Sequence, residues 1–188
     1  MNRKLKRILL LGILIRLIIM PFFAYHEDIF MVHLRAFQII GGASPFSFRE
    51  PLTHAIEAFF LLLFKPLYGN SLNFLNLPPQ TIPNLNRLLF LFKLPYLIFE
   101  VVFWKIFLKL IKTNQNKIKA AWFLALNPIL IYSIYIFGRY ESYPLFFLSL
   151  FLFNLKKPQT FKRNLINSVI LSSLILSRLF LLTLILYL

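Results

Sequence analysis

Long apolar blocks alternate along this chain with short basic ones. Residues 8–23, ILLLGILIRLIIMPFF, follow the basic start MNRKLKR. A signal peptide begins the same way, but Arg16 inside the block and the lack of a small-x-small cleavage site predict a retained anchor. Residues 85–111 are long enough to cross about 30 Å of hydrocarbon with tilt. The KLIKTNQNKIK that closes them is cytoplasmic by the positive-inside bias. Residues 118–137 then return outward, FGRYES (137–142) turns at the outer face, 141–155 go back to LKKPQTFKR, and 164–188 head outward again. The expected fold is all-α, a polytopic transmembrane bundle of about five spans. It forms a single membrane domain over 1–188 with a cytoplasmic amino terminus.

Residues 52–68, LTHAIEAFFLLLFKPLY, break the alternation, because a crossing there would put 112–119 outside. His54, Glu57 and Lys65 fall near one helical stripe. The segment is therefore expected to lie as an amphipathic helix on the outer interface. The uncharged stretch after it joins it in one extracytoplasmic insertion, 24–84.

Four charges fall inside apolar runs: Arg16, Lys93, Glu100 and Arg178. Each costs about 2.5–3.5 kcal/mol at a helix centre, so each should face the bundle or a wet cavity and find a partner. Lys93 and Glu100, two turns apart on one face, make either a structural ion pair or the wall of an outward-opening polar cavity. The spans of Arg16 and Arg178 hold no acid. Their counter-ions must come from another span, from the outer loop or from an anionic ligand.

Composition agrees with a lipid setting: 59% of the residues are hydrophobic and mean hydropathy is +0.74, against about 45–50% apolar in soluble domains. The formal net charge is +15. Its cations cluster between apolar runs, as in loops facing anionic lipid. With the aromatics in spans rather than basic grooves, nucleic acid is not the expected partner. The absence of cysteine excludes a disulfide framework and a thiolate metal site.

The insertion opens with FFAYHEDIFMVHLRAFQIIGGASPF (22–46), which places Glu27 and Asp28 side by side. After His26-Glu27-Asp28 a helix is expected to about Ile40, broken at Gly41-Gly42. Asp28 is either a helix-start cap, part of an intrahelical stripe with Arg35 and Gln38, or a working carboxylate. His26 and His33 match no strong metal signature. Pro128 frees a carbonyl that Asn127 could satisfy. Tyr132, Tyr135, Tyr140 and Tyr143 suit an aromatic belt. Acids and arginines then gather at one membrane face, through HEDIF, FREP and GRYES.

The order of these pieces resembles the integral-membrane glycosyltransferases of the GT-C superfamily, specifically polyprenyl-phosphate-mannose-dependent mannosyltransferases of the GPI mannosyltransferase I type. Members carry an acidic D-x-D-type motif after the first span, a helix ending in G-x-SPY, a W-x-LNP span and a G-x-x-D/E-S turn. The corresponding text here is HEDIF, GGASPF, WFLALNP and GRYES. The likeness runs from about Arg16 to Arg178. Asp28 falls on the second acid of the motif and His26 on the first, so either Glu27 substitutes or one acid suffices. Arg178, in SRLF, falls where members often place a lysine-containing segment. Members are longer, so this chain is expected to match their amino-terminal part.

The resemblance implies inverting transfer of a mannose-like hexose from a polyprenyl-phosphate sugar to a hydroxyl of a lipid or glycan acceptor, at the extracytoplasmic face. Asp28 would be the base, with Glu27 or Glu141 in support. Arg139 and Arg178, then Arg49, would hold the donor phosphate. No metal or cofactor is implied. The rival expectations are a non-enzymatic multispan protein (a transporter fragment or lipid-binding scaffold) and a truncated, inactive transferase homologue.

Overall fold

The computed structural model describes residues 3–23, 28–68, 82, 84–158 and 160–178, and every regular element among them is helical. In chain order these are α1 (Arg3–Ile19), α2 (Asp28–Ile40), a 3-10 turn (Pro45–Ser47), α3 (Pro51–Leu63) and the single turn α4 (Lys65–Tyr68). Then come α5 (Leu85–Leu110), α6 (Asn114–Leu126) and α7 (Pro128–Leu130), which runs into a π-type turn over Ile131–Ile136. The last two are α8 (Ser142–Leu155) and α9 (Phe161–Ser177). The all-α expectation holds. Among the described residues one run, Asn114–Ile136, is by length and apolarity alone sufficient to cross a bilayer. Although longer, α5 carries Arg87, Lys93, Glu100, Lys105 and Lys109.

α5 packs along α8, α2 on α3, α8 on α9, and α1 on α6. One core gathers Met20, Ile29, Phe92, Tyr96, Tyr135 and Tyr143. A second, toward the other end of α1 and α5, gathers Leu5, Ile8, Phe103, Trp104, Ala121 and Leu124. Gly12 permits the α1–α6 approach, since a Cβ there would stand 2.8 Å from that of Ala125. The break between α6 and α7 follows from Asn127-Pro128. Asn127 Oδ1 accepts from the Ile129 and Leu130 amides at 2.9 and 3.3 Å, capping a new helix that opens on proline. Asn127 thus serves amide donors, not the carbonyl that Pro128 frees.

Arg16 answers the freed carbonyls. Its guanidinium donates to Leu124 O at 3.0 Å and Ala125 O at 2.8 Å, and grips both oxygens of Glu100 at 2.7 and 2.8 Å. Trp104 lies beneath it, 4.6 Å from ring centroid to guanidinium carbon. The Lys93–Glu100 pair is therefore not formed. Glu100 turns to Arg16 and to the Tyr135 hydroxyl (2.6 Å), while Lys93 donates to the carbonyls of Met20 (3.1 Å), Phe23 and Tyr135 (2.7 Å). A bidentate arginine satisfies a buried carboxylate better than a single ammonium, and lysine's three donors fit three carbonyls.

The helix expected over 52–68 ends at Leu63, and Lys65 starts a separate exposed turn. His54 and Glu57 point into the bundle and are fully buried, whereas Phe59, Leu62 and Leu63 are exposed. Its polar stripe is an interior contact rather than a wetted face. Other polar side chains share this placement beside the apolar cores. Arg16, Lys93, Glu100, Glu57, His33 and Asn167 are buried, while Leu10, Leu14, Ile18, Phe123, Ile129 and Val169 stand outside. The aromatic belt is corrected likewise: Tyr132 is exposed, but Tyr135, Tyr140 and Tyr143 are buried. Most of the loop after Tyr68 lies outside the described residues.

Candidate functional site

Asp28 opens α2, where a carboxylate suits the unpaired amides and dipole of a first turn. Its Oδ2 lies 3.6 Å from Nε of Arg139, with the two side chains 38% and 43% exposed. A pair so wet contributes about 0–1 kcal/mol, so it places charges rather than holding the fold. Arg139 is aimed by the wide turn before it. Phe137 N donates to Tyr132 O at 2.7 Å and Arg139 N to Ser133 O at 2.9 Å, five and six residues back. Such widened turns re-aim a chain and recur at functional sites.

Gly138 makes this turn possible. Its φ is +85°, and a Cβ there would stand 3.0 Å from Ile29 Cβ. Gly138→Ala is expected to cost about 1–2 kcal/mol from the left-handed backbone alone. It should also push the turn off α2. A lowered unfolding midpoint of the purified variant checks this, and an unchanged midpoint would show that the turn relaxes freely.

Arg178, just beyond α9, donates to Glu141 Oε1 at 2.7 Å and to the Tyr140 hydroxyl oxygen at 2.9 Å. Glu50 Oε1 is 3.7 Å away, and the Tyr140 ring lies 5.0 Å from its guanidinium carbon. Thr53 fixes the approach of α9 by donating to Ser177 O at 3.0 Å. Burial and the Glu50 carboxylate push the Tyr140 phenol up to about 12, with Arg178 opposing, so this hydroxyl remains a neutral donor at physiological pH.

Between these groups lies a cavity of about 160 Å³, lined by Asp28, Met31, Val32, Arg35, Arg139, Tyr140 and Arg178. Three guanidinium groups and one carboxylate thus face a single small space. That arrangement suits an anion with a proton acceptor at its edge.

The walls are held by a buried polar layer. Tyr143 on α8 donates its hydroxyl to Glu57 on α3, and His33 Nε2 on α2 lies 3.3 Å from the same carboxylate. His33 Nδ1 donates to Ile29 O at 2.7 Å, and its ring stacks on Phe92 at 3.6 Å. His33 is thus a packing residue. Burial lowers His54 to about 4, with Arg35 and His33 adding to the effect, so His54 stays neutral.

Asp28, Arg139 and Arg178, the three residues weighted most heavily from sequence, thus meet at one cavity. Glu141 faces Arg178 rather than Asp28, and Arg49 is exposed away from the lining. Glu27 and His26 lie outside the described residues. Sequence reasoning did not assign Arg35, Tyr140 or Glu50 to the site. The seven-residue step from Asp28 to Arg35 was the available signal for the first, because two helical turns return to the same face. Among the described residues no group of three or more His, Asp or Glu side chains could hold a metal ion. Compared with known proteins, the chain matches no family model, no curated protein and no solved structure at a significant level.

Proposed function

We propose that this chain carries a membrane-embedded hexosyltransferase site that takes a mannose-like sugar from a polyprenyl phosphate, on the face opposite its basic segments. The observation that carries the reading is the cavity where Asp28 meets Arg35, Arg139 and Arg178. Its 160 Å³ is below the usual range of about 300–1,000 Å³ for ligand pockets. It suits a phosphate, with the hexose at the open mouth beside half-exposed Asp28.

An acceptor hydroxyl would attack the anomeric carbon as the bond to the phosphate oxygen breaks, with inversion. Asp28 takes the hydroxyl proton, and the arginines stabilise the charge that grows on the departing lipid phosphate. A phosphate oxygen at Arg139 competes with Asp28 for that guanidinium, which draws the cation away from the carboxylate that acts as base.

Membrane residence is supported by the inverted polarity. Arg16, Lys93 and Glu100, the charges in the middle of α1 and α5, are matched internally, which offsets the cost of about 2.5–3.5 kcal/mol that each would carry in hydrocarbon. Five crossings, α1, α5, α6 with its π-type continuation, α8 and α9, fit the charge distribution. Thirteen of the 21 Lys and Arg fall in three segments at helix ends: four in 3–7, five in 105–119 and four in 156–163.

A non-enzymatic scaffold is the second reading, favoured by the closed set of partners around Arg178. Transfer from a synthetic polyprenyl-phosphate mannose in membranes bearing the full chain separates the two. Arg139→Gln should raise the donor KM by about 10–100-fold, the worth of a charged hydrogen bond to phosphate. Inserted wild-type chain that transfers no more than empty membranes would leave the scaffold reading standing.

A further inference from the structure

At the opposite end of the bundle, α1, α5 and α6 leave a second cavity, of about 580 Å³. Leu5, Leu9, Leu108 and Ile118 wall it with hydrocarbon, and Lys105, Lys109 and Lys117 also line it. Among the described residues none of these three lysines pairs with a carboxylate. The reason lies in the whole chain, which has only six carboxylate side chains. Glu50 and Glu141 are drawn to Arg178, Asp28 to Arg139, Glu100 to Arg16, and Glu57 is buried with Tyr143 and His33, while the sixth, Glu27, lies outside the described residues. The segments meeting at this end, 3–7, 105–119 and 156–163, contain no acid at all.

Hydrocarbon walls with unmatched ammonium groups specify an amphiphile with an apolar tail and an anionic head. We propose that this cavity binds one anionic phospholipid of the leaflet it faces. An acyl chain lies against Leu5, Leu9, Leu108 and Ile118, and the phosphate sits among Lys105, Lys109 and Lys117. A free phosphate would leave the four aliphatic walls wet. The cavity size is in the ordinary range for a ligand pocket. The start of α6, capped by Thr113, adds its dipole to the lysines. Lys109 already rests against the Phe153 ring at 6.0 Å, which holds one ammonium near the mouth. This inference rests on the membrane reading above but not on transferase activity.

The full chain, purified in mild detergent, is titrated with phosphatidylglycerol or phosphatidylcholine and its lipid adducts are read by native mass spectrometry. Phosphatidylglycerol should bind preferentially. The triple variant Lys105→Gln, Lys109→Gln, Lys117→Gln should bind it about tenfold more weakly or worse. A control with the same charge loss, Lys112→Gln, Lys119→Gln, Lys162→Gln, should bind as wild type. Equal binding of the two lipids, equal losses in the two variants, or displacement by glycerol 1-phosphate as effectively as by the lipid each overturns the proposal. Carbonate extraction of the membranes is run alongside. A chain that washes out refutes membrane residence itself, whereas one that stays and fails the titration refutes only the lipid site.

Discussion

Asp28→Asn is expected to abolish measurable hexose transfer, the activity proposed above, while leaving the amount and the melting of the protein unchanged. The size of the loss follows from the chemistry. A positioned general base contributes about 10²–10⁴-fold, and an amide of the same shape cannot accept the acceptor's proton. Stability should hardly move, since Asp28 pairs with Arg139 at 3.6 Å with both groups well exposed, and such pairs are worth about 0–1 kcal/mol. Transfer rate and melting midpoint, measured on one preparation, separate the two effects. Full activity of the asparagine variant would remove Asp28 as the base. A large fall in midpoint would reassign it to the fold.

Glu100→Ala is expected to be the most damaging single change to stability. It strands Arg16, which is fully buried and otherwise bonded only to carbonyls, and takes the acceptor from the Tyr135 hydroxyl. Removing one partner of a buried ion pair costs about 3–5 kcal/mol, because the remaining charge is uncompensated. The double variant Arg16→Met, Glu100→Leu should recover part of that loss by removing both charges. Recovery stays incomplete because Leu124 O and Ala125 O then lose their donor, at about 1–3 kcal/mol per orphaned group. Unfolding midpoints of the three proteins give the comparison. Equal loss in single and double variants would mean that the carbonyl bonds, and not the charge pair, dominate.

Local features were legible in the sequence and long-range ones were not. The bounds of α2 follow from residues at its own ends: Asp28 at the start, and Gly41-Gly42 where the helix stops. That Arg16 needs a partner from elsewhere followed from the lack of acid in its segment. Which partner did not, since Glu100 is 84 positions away. The partners of Lys93 are not legible, because backbone carbonyls leave no trace in a side-chain pattern. Periodicity placed His54 and Glu57 on one stripe, but a stripe does not say whether water or protein covers it; here Glu57 meets Tyr143 and His33. The meeting of Asp28, Arg139 and Arg178 was anticipated from their shared end of the chain path. The widened turn that brings Arg139 there has no signature beyond Gly138.

The remote pairing of Arg16 has a consequence for biogenesis in the membrane reading. The first helix leaves the ribosome carrying a cation whose carboxylate is 84 residues downstream and two of whose three carbonyl acceptors are 108 and 109 residues downstream, the third being Gly12 in the same helix. At translation speeds of about 5–20 residues per second, the wait for Glu100 alone is roughly 4–17 s. Until then the nascent segment has no neutralising companion, so it should linger at the insertion channel or bilayer rim and settle fully only once α5 and α6 have emerged.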